Sequence, residues 1–327
     1  MRSRSSIFSS RVFGSALVWT VLAVALIEWR AQRALPETHA YHEVDLMLRY
    51  LDHGQVPDAR TLVLGDSVGR QISHALLEKM DGGAVTLASN AALETPGQYY
   101  VLRRYLEGHP APKRVILIMG GPVDGRLEGA FTENYVQRAF LRWREIAELS
   151  LAKRSMSFGL VMAGYKLFPS FRYRLSLQRK IPLLKTPDPT FGWFDLADAS
   201  SHPEADAPHG VLEMAGLRLH ALGRGPSIAD AYFRRLARLL EDRKIEWIYL
   251  PVPIPESDAP MTAPAGYHGR QMARLRELSG QFPSLRVAEN CPVYPDDWFR
   301  DGAHLKEERL PAVAKDYSRI LAALGFQ

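Results

Sequence analysis

Two short stretches hold side chains whose types and spacing could do acyl chemistry. In Leu64-Gly65-Asp66-Ser67-Val68-Gly69 a hydroxyl stands on a tight corner. In Asp301-Gly302-Ala303-His304-Leu305 a carboxylate precedes an imidazole by three residues. A serine hydroxyl is a weak nucleophile until a neighbouring base takes its proton. The base, an imidazole, needs a carboxylate to fix its tautomer and to stabilise its charged form. Asp301 and His304 supply both partners on one turn. Ser67 opens a helix-compatible segment, so its backbone N–H joins the unsatisfied donors of a helix N-terminus, where developing negative charge is favoured. Taken singly, the first stretch also reads as a plain Asp-Ser helix cap and the second as a satisfied loop histidine. The combination carries the weight.

Elements of a particular kind must bring these stretches together. Residues 61–67, "TLVLGDS", read as a buried strand ended by glycine, and "VGRQISHALLEKM" reads as a helix. A second strand, "GAVTLASN", precedes a helix over 95–108, with Pro96 near its start and Gly108 at its end. "PKRVILIMGG" is a third buried strand. This alternation indicates a parallel sheet covered by helices, whose ligand sites form outside the carboxyl ends of the strands. From about residue 124 to 215 the pattern loosens into helices and a loop rich in Pro, Asp and His. Alternation resumes with a helix over 228–244, a strand over 245–254, a helix over 269–282, a short strand over 285–290 and a closing helix over 309–324. The expected architecture is a three-layer α/β domain over 39–327, with a helical and loop insertion at 124–215.

With these motifs in place, the chain resembles the SGNH/GDSL hydrolase superfamily. "LGDSVG" is similar to its first motif and "DGAHL" to its last, and the resemblance covers roughly 60–120 and 245–327. It implies Ser67 as nucleophile, His304 as general base and acid, and Asp301 as the orienting carboxylate, with Asp66 shaping the turn. The family's other two motifs donate to the oxyanion from strand ends. Here the second region offers Asn90 and Ala91 where the family has glycine, and the third offers Gly120 and Gly121 without the usual Asn-Asp. Such departures in an anchored, exported chain resemble bacterial envelope O-acyltransferases. That resemblance implies an acyl-serine intermediate passed to an envelope glycan, with a membrane-bound O-acyltransferase as partner and no cofactor. An esterase using water, and a catalytically silent scaffold of a polysaccharide assembly, are the competing readings.

The N-terminus sets the expected location. Arg2, Arg4 and Arg11 precede an uncharged run from Val12 to Ile27, followed by Glu28 and Arg30. This pattern predicts a transmembrane signal anchor over 1–38, favoured over a removed signal peptide or a buried core helix, with the rest of the chain in the periplasm or otherwise outside the cytoplasm. Between Arg138 and Lys185 seven Arg and four Lys face two Glu, a local charge of +9 against +5 for the whole chain. A basic, aromatic-rich patch of that kind suits anionic lipid or an anionic polysaccharide, and export argues against nucleic acid. The single cysteine, Cys291, excludes an internal disulfide and a cysteine-based zinc site. His39 and His42 have no carboxylate cluster beside them beyond Glu43 and Asp45, so no metal is expected.

Overall fold

The structure is a computed structural model that describes residues 6–34, 42–78, 80, 83–88, 95–120, 141–172 and 228–326. Strands β1 (Thr61–Gly65), β2 (Ala84–Thr86) and β3 (Arg114–Met119) alternate with helices α3 (Ser67–Leu77) and α4 (Thr95–Gly108). Two helices come before them, α1 (Ser6–Ala34) and α2 (His42–Asp52). After β3 come α5 (Trp143–Ala152), α6 (Met156–Leu167) and the single turn α7 (Pro169–Arg172). Helix α8 (Ile228–Asp242) then leads into β4 (Glu246–Pro251), followed by β5 (Ile254–Pro255), α9 (Tyr267–Gln281), β6 (Leu285–Val287), β7 (Val293–Tyr294) and α10 (Leu310–Ala323).

Five strands form one parallel sheet in the order β2-β1-β3-β4-β6. The chain steps from β1 outward to β2 and then back across β1 to β3. The strand order therefore reverses between β1 and β3, and in doubly wound sheets the ligand crevice opens at such a reversal. Ser67 begins immediately beyond the carboxyl end of β1.

Alternation along the strands builds two cores, because successive side chains point to opposite faces. Leu62, Leu64, Leu117, Trp247 and Tyr249 pack with Tyr100 and Tyr105 of α4, Phe233 and Leu236 of α8, and Leu275 and Leu278 of α9. Val63, Ile116, Ile118, Ile248 and Leu250 pack with Ile72 and Leu76 of α3 and with Val313, Tyr317 and Leu321 of α10. The result is the three-layer α/β arrangement, with the first and last helices of the alternating region side by side on one face. The strand expected over 245–254 is split. Pro251 and Pro253 cannot donate to a ladder, so β4 stops and β5 pairs separately with β7.

Helices α5, α6 and α7 lie in the described part of the expected insertion. Ion pairs, one of them buried, key α5 to α4. Glu145 of α5, wholly buried, accepts from Arg104 Nη2 of α4 at 2.6 Å, and Glu148 accepts from Arg103 Nη1 at 2.8 Å. Beside them the Tyr100 and Tyr232 hydroxyls are 2.6 Å apart, and burial raises both phenol pKa values, so neither ionises at neutral pH.

The N-terminal expectation needs correction. Helix α1 is longer than the uncharged run, and Leu17, Trp19, Leu22 and Leu26 on it are exposed. Yet among the described residues no helix is long and apolar enough to cross a membrane. The sixteen uncharged residues extend about 24 Å at 1.5 Å each, short of a hydrocarbon core of about 30 Å. Beyond them Glu28 faces protein, accepting the Ser170 N–H of α7 at 2.8 Å and its hydroxyl as well.

Candidate active site

The turn from β1 to α3 is shaped by glycine and by one carboxylate. A Cβ on Gly65 would stand 2.4 Å from the Ile118 carbonyl oxygen, and one on Gly69 would stand 2.3 Å from the same atom. Only glycine lets the start of α3 press so closely on β3. Asp66 caps the helix: its Oδ1 accepts the Val68 N–H at 3.1 Å and the Gly69 N–H at 3.0 Å. Its Oδ2 accepts the Gly120 N–H at 2.8 Å, so one side chain ties the end of β1 to the end of β3. Asp66 thus does the shaping expected of it and adds a cross-strand tie. This bond also aims the Gly120 N–H at a carboxylate, which removes it from the expected set of oxyanion donors in this state. Asn90, Ala91 and Gly121 lie outside the described residues.

The histidine comes from a tight loop just before α10. The Arg300 N–H donates to the His304 carbonyl at 2.9 Å, the Lys306 N–H donates to the Trp298 carbonyl at 2.8 Å, and Phe299 bridges Leu305 in antiparallel fashion. Phe299 and Leu305 are buried and act as plugs, leaving Asp301 exposed at the rim. Asp301 Oδ1 accepts the backbone N–H groups of Ala303 at 2.9 Å and His304 at 2.7 Å, an Asx-type turn that sets the spacing seen in the sequence.

The two stretches meet. Ser67 Oγ lies 2.9 Å from His304 Nε2, across 237 residues of chain. His304 Nδ1 lies 2.9 Å from Asp301 Oδ2 and 3.1 Å from Oδ1. An ionised carboxylate can only accept, so Nδ1 carries the hydrogen and Nε2 presents its lone pair to the Ser67 hydroxyl. Burial pushes the Asp301 carboxyl up, but the hydrogen bond and charge of His304, helped by the two backbone N–H groups, outweigh it and bring the pKa to about 2. Asp301 is therefore ionised throughout the range in which an imidazole titrates. Its side chain is half exposed, whereas that of His304 is largely covered. The Arg300 guanidinium stands 3.7 Å from Asp301 at the outer edge.

A further tie was not foreseen from the sequence. Gln71 Oε1 accepts the Leu305 N–H at 3.3 Å, and Gln71 Nε2 donates to the Leu305 carbonyl at 3.4 Å. The available signal was its place four residues after Ser67, on the same helical face. Chemically, the arrangement can deprotonate a hydroxyl and hold the resulting imidazolium against a carboxylate. The Ser67 N–H, first in α3, lies beyond reach of the helical ladder and is positioned to meet negative charge.

No family model matches this sequence, and no curated protein matches it. Two solved structures resemble the chain distantly. One is a Streptococcus pneumoniae protein described as a candidate platelet activating factor, 13% identical, with a TM-score of 0.37, covering 92% of this chain and 99% of its own. The other is the C-terminal catalytic domain of peptidoglycan O-acetyltransferase A (OatA) of Streptococcus pneumoniae, bearing a methylsulfonyl adduct. It is 11% identical, with a TM-score of 0.33, covering 82% of this chain and 92% of its own. Likenesses this distant say nothing of the chemistry.

Proposed function

We propose that this chain is a serine-dependent acyl-transfer enzyme acting on an envelope glycan outside the cytoplasm, through an acyl-Ser67 intermediate. The carrying observation is the 2.9 Å approach of Ser67 Oγ to His304 Nε2, with Asp301 behind the ring. Ser67 Oγ attacks the acyl carbonyl while Nε2 takes its proton, and the carbonyl electrons move to oxygen. The tetrahedral intermediate collapses, the leaving oxygen takes the proton from Nε2, and Ser67 is left acylated. A glycan hydroxyl then gives its proton to Nε2 and attacks the ester. Collapse of that second intermediate delivers the acyl group to the glycan and returns the proton to Ser67. The oxyanion faces the Ser67 N–H, with Asn90, Ala91 and Gly121 as the companion donors that the family resemblance implies. The loss of one such donor reduces kcat by about 10²–10³.

A fluorophosphonate probe tests the nucleophile. Wild type is expected to label and Ser67→Ala to stay blank; a folded wild type that never labels would favour the silent scaffold. Turnover of an activated acyl ester should rise when glycan is added. Turnover indifferent to glycan would reassign the chain as an esterase. In the same proposal α1 attaches the chain to the inner membrane, where a membrane-bound O-acyltransferase presents the acyl group. The exposed apolar side chains of α1 support this attachment. Co-flotation of the chain with inner-membrane vesicles checks it, and a chain that stays at the bottom of the gradient would refute it.

A further inference from the structure

Two stretches separated by more than two hundred residues meet within hydrogen-bond distance, and that requires a fixed relation between α3 and the 300–305 loop. The loop's own bonds, Arg300 to His304 and Lys306 to Trp298, set its internal shape but not its position relative to Ser67. We infer that Gln71 is a positioning residue, its side-chain amide clamping the Leu305 peptide so that His304 Nε2 stays in register with Ser67 Oγ. This inference rests on the acyl-transfer reading for its functional meaning, though not for its geometry.

The side-chain amide meets the backbone of Leu305 edge to edge, donating through Nε2 and accepting through Oε1. At 3.3 and 3.4 Å each bond is longer than the usual upper limit of about 3.2 Å and is weak alone. As a pair they resist both sliding along the loop and rotation about it, much as one rung of a β-ladder does. The clamp spans one helical turn on one side, from Ser67 to Gln71, and one residue on the other, from His304 to Leu305. The Leu305 side chain is fully buried and Gln71 is half-buried, so the clamp joins the packed core to the reacting pair. Misplacing a catalytic group by about 1 Å can cost about 10²-fold in rate.

A thiol placed at the nucleophile position reads the geometry without requiring any native reaction. The full chain carrying Ser67→Cys, with the buried Cys291 replaced by alanine, is alkylated with iodoacetamide across pH. A thiol held against an imidazolium ionises well below the usual value of about 8.5. The midpoint is expected to lie at least one pH unit below that of the same chain with His304→Ala. Adding Gln71→Met, which keeps length but cannot hydrogen-bond, should move the midpoint up to the His304→Ala value. Gln71→Glu, which keeps the acceptor for the Leu305 N–H, should fall between. An unchanged midpoint in a folded Gln71→Met chain overturns the inference, as does a midpoint that His304→Ala leaves unmoved. If Gln71→Met does not fold, a Gln71→Glu midpoint equal to that of the parent overturns it.

In the serine form, Gln71→Met should slow fluorophosphonate labelling at least tenfold and lower kcat for 4-nitrophenyl acetate with KM unchanged. A wild-type labelling rate refutes the clamp and leaves the acyl-transfer reading standing. A wild type that never labels, whose Ser67→Cys midpoint still responds to Gln71, refutes that reading and leaves the clamp.

Discussion

Asp301 accepts from the His304 ring and from two backbone N–H groups at once, and those donors favour its ionised form. Replacing it with Asn would present an NH₂ group to Nδ1 and drive the ring hydrogen onto Nε2, where it could no longer take the serine proton. Labelling of Asp301→Asn should drop by as much as about 10⁴-fold with the fold intact. The same contacts predict a pH dependence of stability. The carboxyl sits at about 2 in the folded chain, and an unfolded Asp ionises near 3.9. Its ionised form therefore stabilises the fold above roughly pH 4, and that contribution disappears as pH falls toward 2. Urea unfolding of wild type and Asp301→Asn should differ at pH 5, and the difference should narrow below about pH 4 and close only below about pH 2. A constant difference across that window would deny the linkage. At this scale the sequence was informative wherever chemistry is local. The Asp-x-x-His spacing is a loop that closes on itself, and it could be read directly. The Asp66–Gly120 bond and the Gln71 clamp join segments far apart in sequence, so no local pattern records them.

Between elements, the best-defined joint is the one that seats α5 on α4. Glu145 is wholly buried and takes Arg104 Nε at 3.3 Å, Arg104 Nη2 at 2.6 Å and the Arg142 backbone N–H at 2.7 Å. Its value lies less in the pair itself than in the penalty for breaking it, because the buried Arg104 guanidinium would exchange a carboxylate at 2.6 Å for the more distant Asp52 carboxylate at 3.7 Å. Glu145→Ala should destabilise the chain by about 3–5 kcal/mol, whereas replacing both Arg104 and Glu145 by apolar residues of similar size should cost much less. Urea denaturation of the single and double variants measures the difference, and equal losses would show that the joint is ordinary packing. The helices and the parallel strands themselves were legible from periodicity. The split between β4 and β5 was signalled by Pro251 and Pro253, which a continuous apolar run concealed. In α1 the run of uncharged residues was read as a span, although its length in ångströms falls short of the hydrocarbon core.

Over the described residues, the strand order puts the Ser67 hydroxyl where the path of the chain through the sheet reverses. Periodicity shows that strands and helices alternate, but it does not give their order. The pairing of β1 with both β2 and β3 had to come from coordinates. Helices α3 and α10, almost at opposite ends of the described α/β region, lie together on one face, which carries the imidazole loop to the serine. This has a consequence for synthesis. A ribosome releases Ser67 long before it releases His304, and in the interval the hydroxyl has no base beside it. A stalled chain that ends before Asp301 should therefore ignore a fluorophosphonate, and reactivity should appear only once the final helix has emerged and docked. Labelling of such an unfinished chain would mean that some other group activates the serine. Otherwise, under the proposed function, the chain is born unarmed, and completing translation is what switches it on.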